Sequence, residues 1–203
     1  MAGEIVVLPA NRAACAELEA IFGRRGEAAR CLCQRARLPH RPWHDMPLAE
    51  RRARLVEQAA CGRPEAEATS GLVAWRDGTP VGWCAVGPRT DFLRYHQSQS
   101  ATVWAGRSED RDDASVWAAA CFVTRAGFRR RGVATALACA APAFAQARGA
   151  RAIEGYPLLP EPGREVAWGE LSVGSRAMFA AAGLVEVSRP SARRAVMRRE
   201  FRP

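Results

Sequence analysis

One segment, residues 121–134, constrains the fold of this chain more than any other. Its first residues, Cys121-Phe122-Val123-Thr124, predict a strand, and Arg129-Arg130-Arg131-Gly132-Val133-Ala134 then opens an Ala-rich helix. Free N–H groups at a helix start attract an anion, as does the helix dipole. Arginine side chains add charge and bidentate hydrogen bonds to phosphate oxygens. The segment therefore predicts a pyrophosphate-binding site where the strand passes into the helix.

Length and composition predict one globular domain. The chain has 203 residues, an ordinary size for a single domain with a hydrophobic core. Its hydrophobic fraction of 48% is that of a folded rather than a disordered protein. The sequence contains no apolar run as long as a membrane span, and its N-terminus lacks the basic region of a signal peptide. We therefore expect a single domain over residues 1–203 that has no membrane partner.

The charge balance favours anionic ligands. The formal net charge is +9, and all 30 basic residues are arginine. This arginine bias is typical of a GC-rich genome, but the positive charge still attracts phosphate groups and nucleic acid. Apart from Arg129–Arg131 and a group from Arg193 to Arg199, the arginines are scattered, without interleaved aromatic residues. The pattern argues against a nucleic-acid surface, so an Arg-rich nucleic-acid binder is the weaker alternative.

The seven cysteines predict a reducing compartment and no metal site. An odd number of cysteines without a secretory signal is typical of reduced thiols in the cytoplasm. Cys31 and Cys33 are separated by one residue and lack the second cysteine pair of a structural zinc site. Cys84, Cys121 and Cys139 lie in apolar segments and are expected to fill the core.

Apolar runs, turn residues and helix caps predict alternating strands and helices. The hairpin is the strongest local prediction, because Asp77-Gly78 separates two apolar runs. We expect irregular chain over residues 31–43, 88–113 and 156–169. The predicted helices are 12–22, 47–61, 132–148 and one that starts at 172 or 175 and ends at 182. The predicted strands are 4–8, 71–75, 80–86, 115–124, 151–155, 184–188 and 195–201.

This order of elements, with the Arg-x-x-Gly-x-Ala loop at 129–134, resembles the GNAT superfamily of N-acetyltransferases. Ser175-Arg176-Ala177-Met178-Phe179-Ala180-Ala181-Ala182-Gly183-Leu184 is similar to the family's helix that ends in Gly-Phe. Glu154-Gly155-Tyr156-Pro157 is similar to a bacterial subgroup of the family. The resemblance covers roughly residues 71–201. It implies an α/β (α+β) fold with a mixed, mostly antiparallel central sheet flanked by helices.

The resemblance also implies acetyl-CoA as co-substrate. The family's pantetheine arm pairs with the main chain of the strand that corresponds to Phe122–Thr124, and its phosphates lie on the loop. The residues implied for acetyl-CoA binding are therefore Phe122, Val123, Thr124, Arg129, Arg130, Arg131, Gly132, Val133, Ala134 and Thr135.

The implied reaction is direct attack of a neutral primary amine on the thioester in a ternary complex. N–H groups near Val123 are suited to stabilise the oxyanion. Glu154, on the strand beside the acetyl-CoA strand, is the first candidate for the general base, although an exposed strand glutamate is an equal alternative. His40, His44 and His96 are further candidate bases, with a solvated loop histidine as the usual alternative.

The family's usual general acid is missing. It is a tyrosine four residues before the glycine that ends the last helix, and Phe179 occupies that position here. Tyr156 is a candidate substitute, with a packing role as the alternative, and a thiol of pKa near 8.5 also leaves without an acid. Without the tyrosine, a non-catalytic acyl-CoA-binding or sensing module is the main alternative function.

The acceptor is expected to enter between residues 31–43 and the loops at 92–104 and 156–168. Trp43 or Trp104 is a candidate wall of its pocket. A small-molecule amine is favoured because the chain has no additional docking domain. Family members often dimerise through C-terminal strands, so the resemblance also implies a homodimer.

Overall fold

A mixed sheet forms the centre of the protein. The computed structural model describes residues 3–96, 103–160 and 172–202. Within these residues the sheet has seven strands in the spatial order β1-β2-β3-β4-β5-β7-β6. Only β4 and β5 are parallel, and all other neighbours are antiparallel. The predicted fold class is thus confirmed. The strands are β1 Ile5–Pro9, β2 Gly71–Arg76, β3 Thr79–Pro88, β4 Val116–Thr124, β5 Ala152–Gly155, β6 Val185–Ser191 and β7 Arg194–Glu200.

Helices cover both faces of the sheet, because successive side chains of a strand point to opposite faces. In β3, Trp83 packs with α1 and α5 on one face, whereas Cys84 packs with α7 and α8 on the other. In the described part of the chain, no helix is both long and apolar enough to cross a membrane. The helices are α1 Cys15–Phe22, α2 Gly26–Cys31, α3 Gln34–Arg37, α4 His40–Asp45, α5 Leu48–Ala59, α6 Leu93–His96, α7 Val133–Gln146 and α8 Arg176–Ala181.

Residues 31–43, predicted to be irregular, contain helical turns. Leu32 and Cys33 have positive φ values and separate α2 from α3. Pro42 does not prevent α4, because it lies in the first helical turn, where an N–H group has no helical acceptor in any case. The prediction missed these helices because each is too short to show a helical period in the sequence.

Two disulfides correct the expectation that all thiols are reduced. Cys15 pairs with Cys61, and Cys33 pairs with Cys121. The sequence could not reveal these pairs because 46 and 88 residues separate their members. Cys139 is exposed on α7, so its predicted place in the core is wrong, whereas Cys84 is buried as expected. The argument for a reducing cytoplasm therefore loses its basis in the cysteines.

Removing the first disulfide is expected to destabilise the protein. The Cys15→Ser, Cys61→Ser double variant should lose about 2–4 kcal/mol of unfolding free energy, because its unfolded chain is no longer closed into a loop. Urea unfolding without reductant measures this loss. With excess dithiothreitol, parent and variant should unfold at nearly the same urea concentration. Equal stability of the two proteins without reductant would contradict the pairing.

Candidate active site

Strand β4 leaves its parallel neighbour partway along its length. β4 and β5 pair only as far as Ala119 and Gly155. Cys121, with φ +54°, is the additional residue of a bulge opposite β3. Since a bulge bends and twists its strand, β4 turns away from β5 and presents residues 120–124 as a separate edge.

A cavity of about 820 Å³ lies beside this edge. It reaches from β4 to the first residues of α7 and α8, and we call it the α7 cavity. Its lining includes Phe122, Thr124, Arg129, Ala134, Ser175 and Arg176.

The start of α7 presents main-chain donors toward this region. The first intrahelical hydrogen bond runs from the Ala136 N–H to the Gly132 carbonyl at 2.9 Å. The N–H groups of Val133, Ala134 and Thr135 therefore have no acceptor within the helix. Gly132 has φ +80°, and a Cβ at this position would meet no atom within 4 Å. An anion can thus approach the helix start closely.

The three arginines before the helix supply uncompensated positive charge. Arg129, Arg130 and Arg131 are exposed, and none is ion-paired with a carboxylate within residues 3–96, 103–160 and 172–202. Arg129 lines the α7 cavity, whereas the guanidinium of Arg131 lies 5.7 Å from the centre of the Phe128 ring. Charge, helix start and cavity together fit the diphosphate and the extended arm of acetyl-CoA.

The segment before α8 contacts the free edge of β4. The Phe122 N–H points away from β3 and donates to the Ser172 carbonyl at 2.6 Å. This is the main-chain group with which the sequence resemblance pairs the pantetheine arm. Ser172 therefore lies where a ligand that extends along β4 is expected.

A second cavity, of about 180 Å³, lies on the other side of Ser172. We call it the arginine cavity, and it is lined by Cys31, Arg35, Ala36, Arg94, Tyr95, Cys121, Ser172, Val173 and Arg194. Two of its walls are those predicted for the acceptor, residues 31–43 and 92–104. Most of the third predicted wall, residues 156–168, falls outside the described residues.

Tyr95 is a site residue that sequence reasoning missed. Its ring lies 4.8 Å from that of Tyr156, and it lines the arginine cavity. Within the described chain, its hydroxyl has no hydrogen-bond partner. Burial raises the pKa of Tyr95, and the charges of Arg194, Arg94 and Arg35 oppose that rise. No sequence pattern pointed to Tyr95, because its helix α6 has only four residues and lies in a segment predicted to be irregular.

Glu154 is completely buried and is surrounded by guanidinium groups. Its Oε1 accepts hydrogen bonds from Arg198 at 2.8 Å, from Arg89 at 3.4 Å and from Arg107. Its Oε2 accepts from the Tyr156 hydroxyl at 2.8 Å. Both carboxylate oxygens thus accept hydrogen bonds from side chains of the protein itself. Glu154 does not line either of the cavities described above. The geometry favours a structural role, and the role of general base stays a prediction.

Tyr156 is equally enclosed. It is 2% exposed, and its hydroxyl donates to Glu154. Burial raises its pKa well above the usual value, and the negative charge of Glu154 adds to the shift. The phenol is therefore protonated at neutral pH, as an acid requires, but its proton is directed at Glu154 rather than at a cavity. Its role as general acid also stays a prediction.

The buried ion pairs extend to the loop that follows β3. Glu109 accepts from Arg198 at 2.7 Å and from Arg89 at 3.1 Å. Although burial acts to raise the pKa of Glu109, hydrogen bonds from Arg107, Arg198 and Arg89 lower it to about 2. The Trp104 ring packs between guanidinium groups at 4.5–5.1 Å, those of Arg89, Arg107 and Arg111. The predicted pocket wall Trp104 thus belongs to this network, which ties Arg89, Arg107 and Glu109 to the sheet through Glu154 and Arg198.

Phe179 replaces the family's tyrosine and fills a packing position. Its ring is 1% exposed and packs edge-on against Phe122, with ring centres 5.7 Å apart. Cβ atoms added to Gly155 or Gly174 would lie 3.0 Å or less from this ring. The position therefore supports the α7 cavity without offering a proton.

The three histidines lie outside both cavities. His40 stacks on His44 with ring centres 6.3 Å apart, and His96 contacts Asp112 at 2.8 Å. Trp43, the other predicted wall, packs beneath the guanidinium groups of Arg35 and Arg51. These positions give the histidines no direct contact with a ligand in either cavity.

Neutralising Glu154 is expected to destabilise the fold strongly. Glu154→Gln should lower the unfolding free energy by about 3–5 kcal/mol, because three buried arginines lose their shared carboxylate. Urea unfolding measures the loss. Glu50→Gln is the matched control, since it removes a surface pair with Arg54 worth about 0.5 kcal/mol at most. Similar losses in the two variants would refute the central role of Glu154.

The sequence model of the acetyltransferase (GNAT) family matches residues 33–156. No curated protein sequence matches the chain significantly.

Solved structures share the fold at low sequence identity. Ribosomal-protein-alanine N-acetyltransferase from Brucella melitensis is 15% identical, with 97% of this chain and 99% of that chain covered and a TM-score of 0.52. The protein yncA from Salmonella typhimurium, solved with its cofactor acetyl-CoA, is 12% identical, with 97% and 93% covered and a TM-score of 0.53. An N-acetyltransferase from Staphylococcus aureus Mu50 is 13% identical, with 97% and 98% covered and a TM-score of 0.50.

The structural neighbours establish the fold, and the family model spans more than half of the sequence. The chain therefore belongs to the acetyltransferase (GNAT) family, as an N-acetyltransferase with acetyl-CoA as its co-substrate.

Proposed function

We propose that this protein acetylates the primary amine of a small molecule, by direct attack of the amine in a ternary complex with acetyl-CoA. The observation that carries the proposal is the meeting of two cavities at one bulge of β4. Phe122 lines the α7 cavity, Cys121 lines the arginine cavity, and Ser172 lines both. A donor and an acceptor can thus reach the same stretch of strand from opposite sides.

The α7 cavity is the proposed donor site. Acetyl-CoA supplies the acetyl group as an activated thioester. The main chain of Phe122, Val123 and Thr124 would hold the extended arm, and a ligand pairing with Phe122 would replace its contact with Ser172. The diphosphate would lie on the loop and helix start, formed by Arg129, Arg130, Arg131, Gly132, Val133, Ala134 and Thr135.

Direct attack is favoured because no cysteine near the bulge offers a thiolate for an acyl-enzyme. Cys33 and Cys121 are joined in a disulfide. Burial raises the pKa of Cys31, so that its thiol is protonated at neutral pH. The acceptor amine is then the nucleophile itself.

Two features of the arginine cavity suit an amine nucleophile of small size. Its volume of about 180 Å³ holds about six water molecules. Nearby positive charges also disfavour the ammonium form of a bound amine, so it loses its proton to water more readily. Glu154 and Tyr156 would then act by fixing the wall that carries Tyr95, and a direct catalytic role for them would require a rearrangement of their hydrogen bonds.

We propose that the thiolate of CoA leaves without a general acid at position 179, where the family usually has a tyrosine. The buried Phe179 cannot donate a proton, and a thiol with pKa near 8.5 is a tolerable leaving group at neutral pH. Tyr95 lines the arginine cavity, whereas Tyr156 does not, so Tyr95 is better placed than Tyr156 to donate a proton there.

Further proposals follow from the family resemblance. We propose membership of the bacterial subgroup with Glu154-Gly155-Tyr156-Pro157, a single domain over residues 1–203 and a cytoplasmic location. A homodimer through the C-terminal strands is supported by β6, an edge strand on which Val185 and Val187 are 65% and 51% exposed.

A bulky side chain at the helix start is expected to abolish donor binding. Gly132→Trp should weaken acetyl-CoA binding, measured by calorimetric titration, by at least about tenfold, because the side chain obstructs the approach to the helix N–H groups. Gly149→Trp is the matched control. Gly149 has φ +79° and open space like Gly132, but lies beyond the opposite end of α7.

The control separates a local effect from general strain. Equal loss of binding in both variants would mean that backbone strain, and not obstruction, is responsible. A folded parent protein that does not bind acetyl-CoA would sink the proposal. Binding by the parent without turnover of any amine would favour the non-catalytic acyl-CoA-binding module, which the replacement of tyrosine by Phe179 motivates.

A further inference from the structure

The arginine cavity has a charge pattern that an amine alone does not explain. Three guanidinium groups line it, those of Arg35, Arg94 and Arg194, and its described lining contains no carboxylate. A positively charged ammonium group would be repelled here. A negative group on the ligand would offset the charges of Arg35 and Arg94, which have no carboxylate partner among the described residues.

Arg35 and Arg94 are the residues available for such a group. Neither is ion-paired with a carboxylate among the described residues. Arg35 is held at the cavity by stacking, with its guanidinium 5.5 Å from the centre of the Trp43 ring. Arg94 extends from α6, beside Tyr95. Burial lowers the pKa of Arg94, and the nearby positive charges of Arg35 and Arg194 act in the same direction.

Arg194 lines the cavity and is held in place by the chain that follows β5. Its Nη1 donates to the Tyr156 carbonyl at 2.9 Å, which joins it to the strand that carries Glu154. Cys121, at the bulge, lines the same small cavity. A molecule of this size that contacts Arg35 or Arg94 with one end thus has its other end near the proposed position of the thioester.

We propose that the acceptor is a small amine that also carries an oxyanion, either a carboxylate or a phosphate-type group, bound by Arg35 and Arg94. This inference rests on the proposed amine acetylation. Guanidinium groups bind carboxylate and phosphate oxygens in the same bidentate geometry, so the shared chemistry is the oxyanion. The Tyr95 hydroxyl is placed to donate an additional hydrogen bond to the bound acceptor.

Matched pairs of acceptors test this inference. Amino acids are compared with the corresponding amino-acid amides, and aminoalkylphosphonates with the corresponding alkylamines, at saturating acetyl-CoA. The N-acetylated product is quantified by mass spectrometry. We expect kcat/KM to be at least about tenfold higher for the member of each pair that carries the oxyanion. The two arms also show whether the oxyanion is a carboxylate or a phosphate-type group.

Three variants assign the effect to the cavity. Arg35→Gln and Arg94→Gln should each raise KM for the oxyanion-bearing acceptor by about ten- to hundredfold, and neither should raise KM for the partner that lacks the oxyanion, because removing a positive charge does not weaken binding of an amine. Arg41→Gln is the matched control, because Arg41 is exposed on the neighbouring α4 and does not line the cavity. Calorimetric titration with acetyl-CoA should give the parent affinity for all three variants, which shows that they are folded.

The outcomes distinguish failure of this inference from failure of the proposed function. Equal kcat/KM values within the pairs, or no change of KM in Arg35→Gln and Arg94→Gln, would overturn the oxyanion while acetylation stands. Bound acetyl-CoA without turnover of either class would overturn the proposed acetylation and this inference together. A rise of KM in Arg41→Gln as large as that in Arg94→Gln would also overturn the oxyanion inference, because the rise would then come from the lower net charge of the protein.

Discussion

The divergence of β4 from β5 is the constraint on which the rest of the site depends. Paired as far as Ala119 and Gly155, the strands separate where Cys121 forms a bulge. A continuous parallel pair would use the main-chain groups of residues 120–124 inside the sheet and leave no edge for a ligand. Because the strands separate, one short edge borders the cavity at α7 on one face and the arginine cavity on the other.

A buried ion-pair network holds the second of these cavities in place. Glu154 and Glu109 share the guanidinium groups of Arg89, Arg107 and Arg198, which join the loop after β3 to β5 and β7. Such a network specifies position more than it adds stability, because burying its charges carries a large desolvation cost. Arg94 and Tyr95 lie on α6, between Arg89 and Arg107 in the chain, so we propose that the network positions these two residues for the acceptor.

Local pattern predicted the sheet, the hairpin at Asp77-Gly78 and the turn that opens α7 at Gly132, because each depends on residues that are close in sequence. Glu154 was correctly placed on the strand beside β4, but its partners were not foreseeable, since Arg89, Arg107 and Arg198 come from distant segments. The disulfides were missed for the same reason. Arg94 and Tyr95 lie on α6, a helix of four residues that is too short to show a period in the sequence.

The central claim is that the free edge of β4 binds the donor. A crystal structure of the protein with CoA tests it most directly. We expect the diphosphate within hydrogen-bond distance of the N–H groups of Val133–Thr135, and the pantetheine arm along Phe122–Thr124 in place of the Ser172 carbonyl. CoA bound elsewhere, with the hydrogen bond between Phe122 and Ser172 intact, would contradict the account.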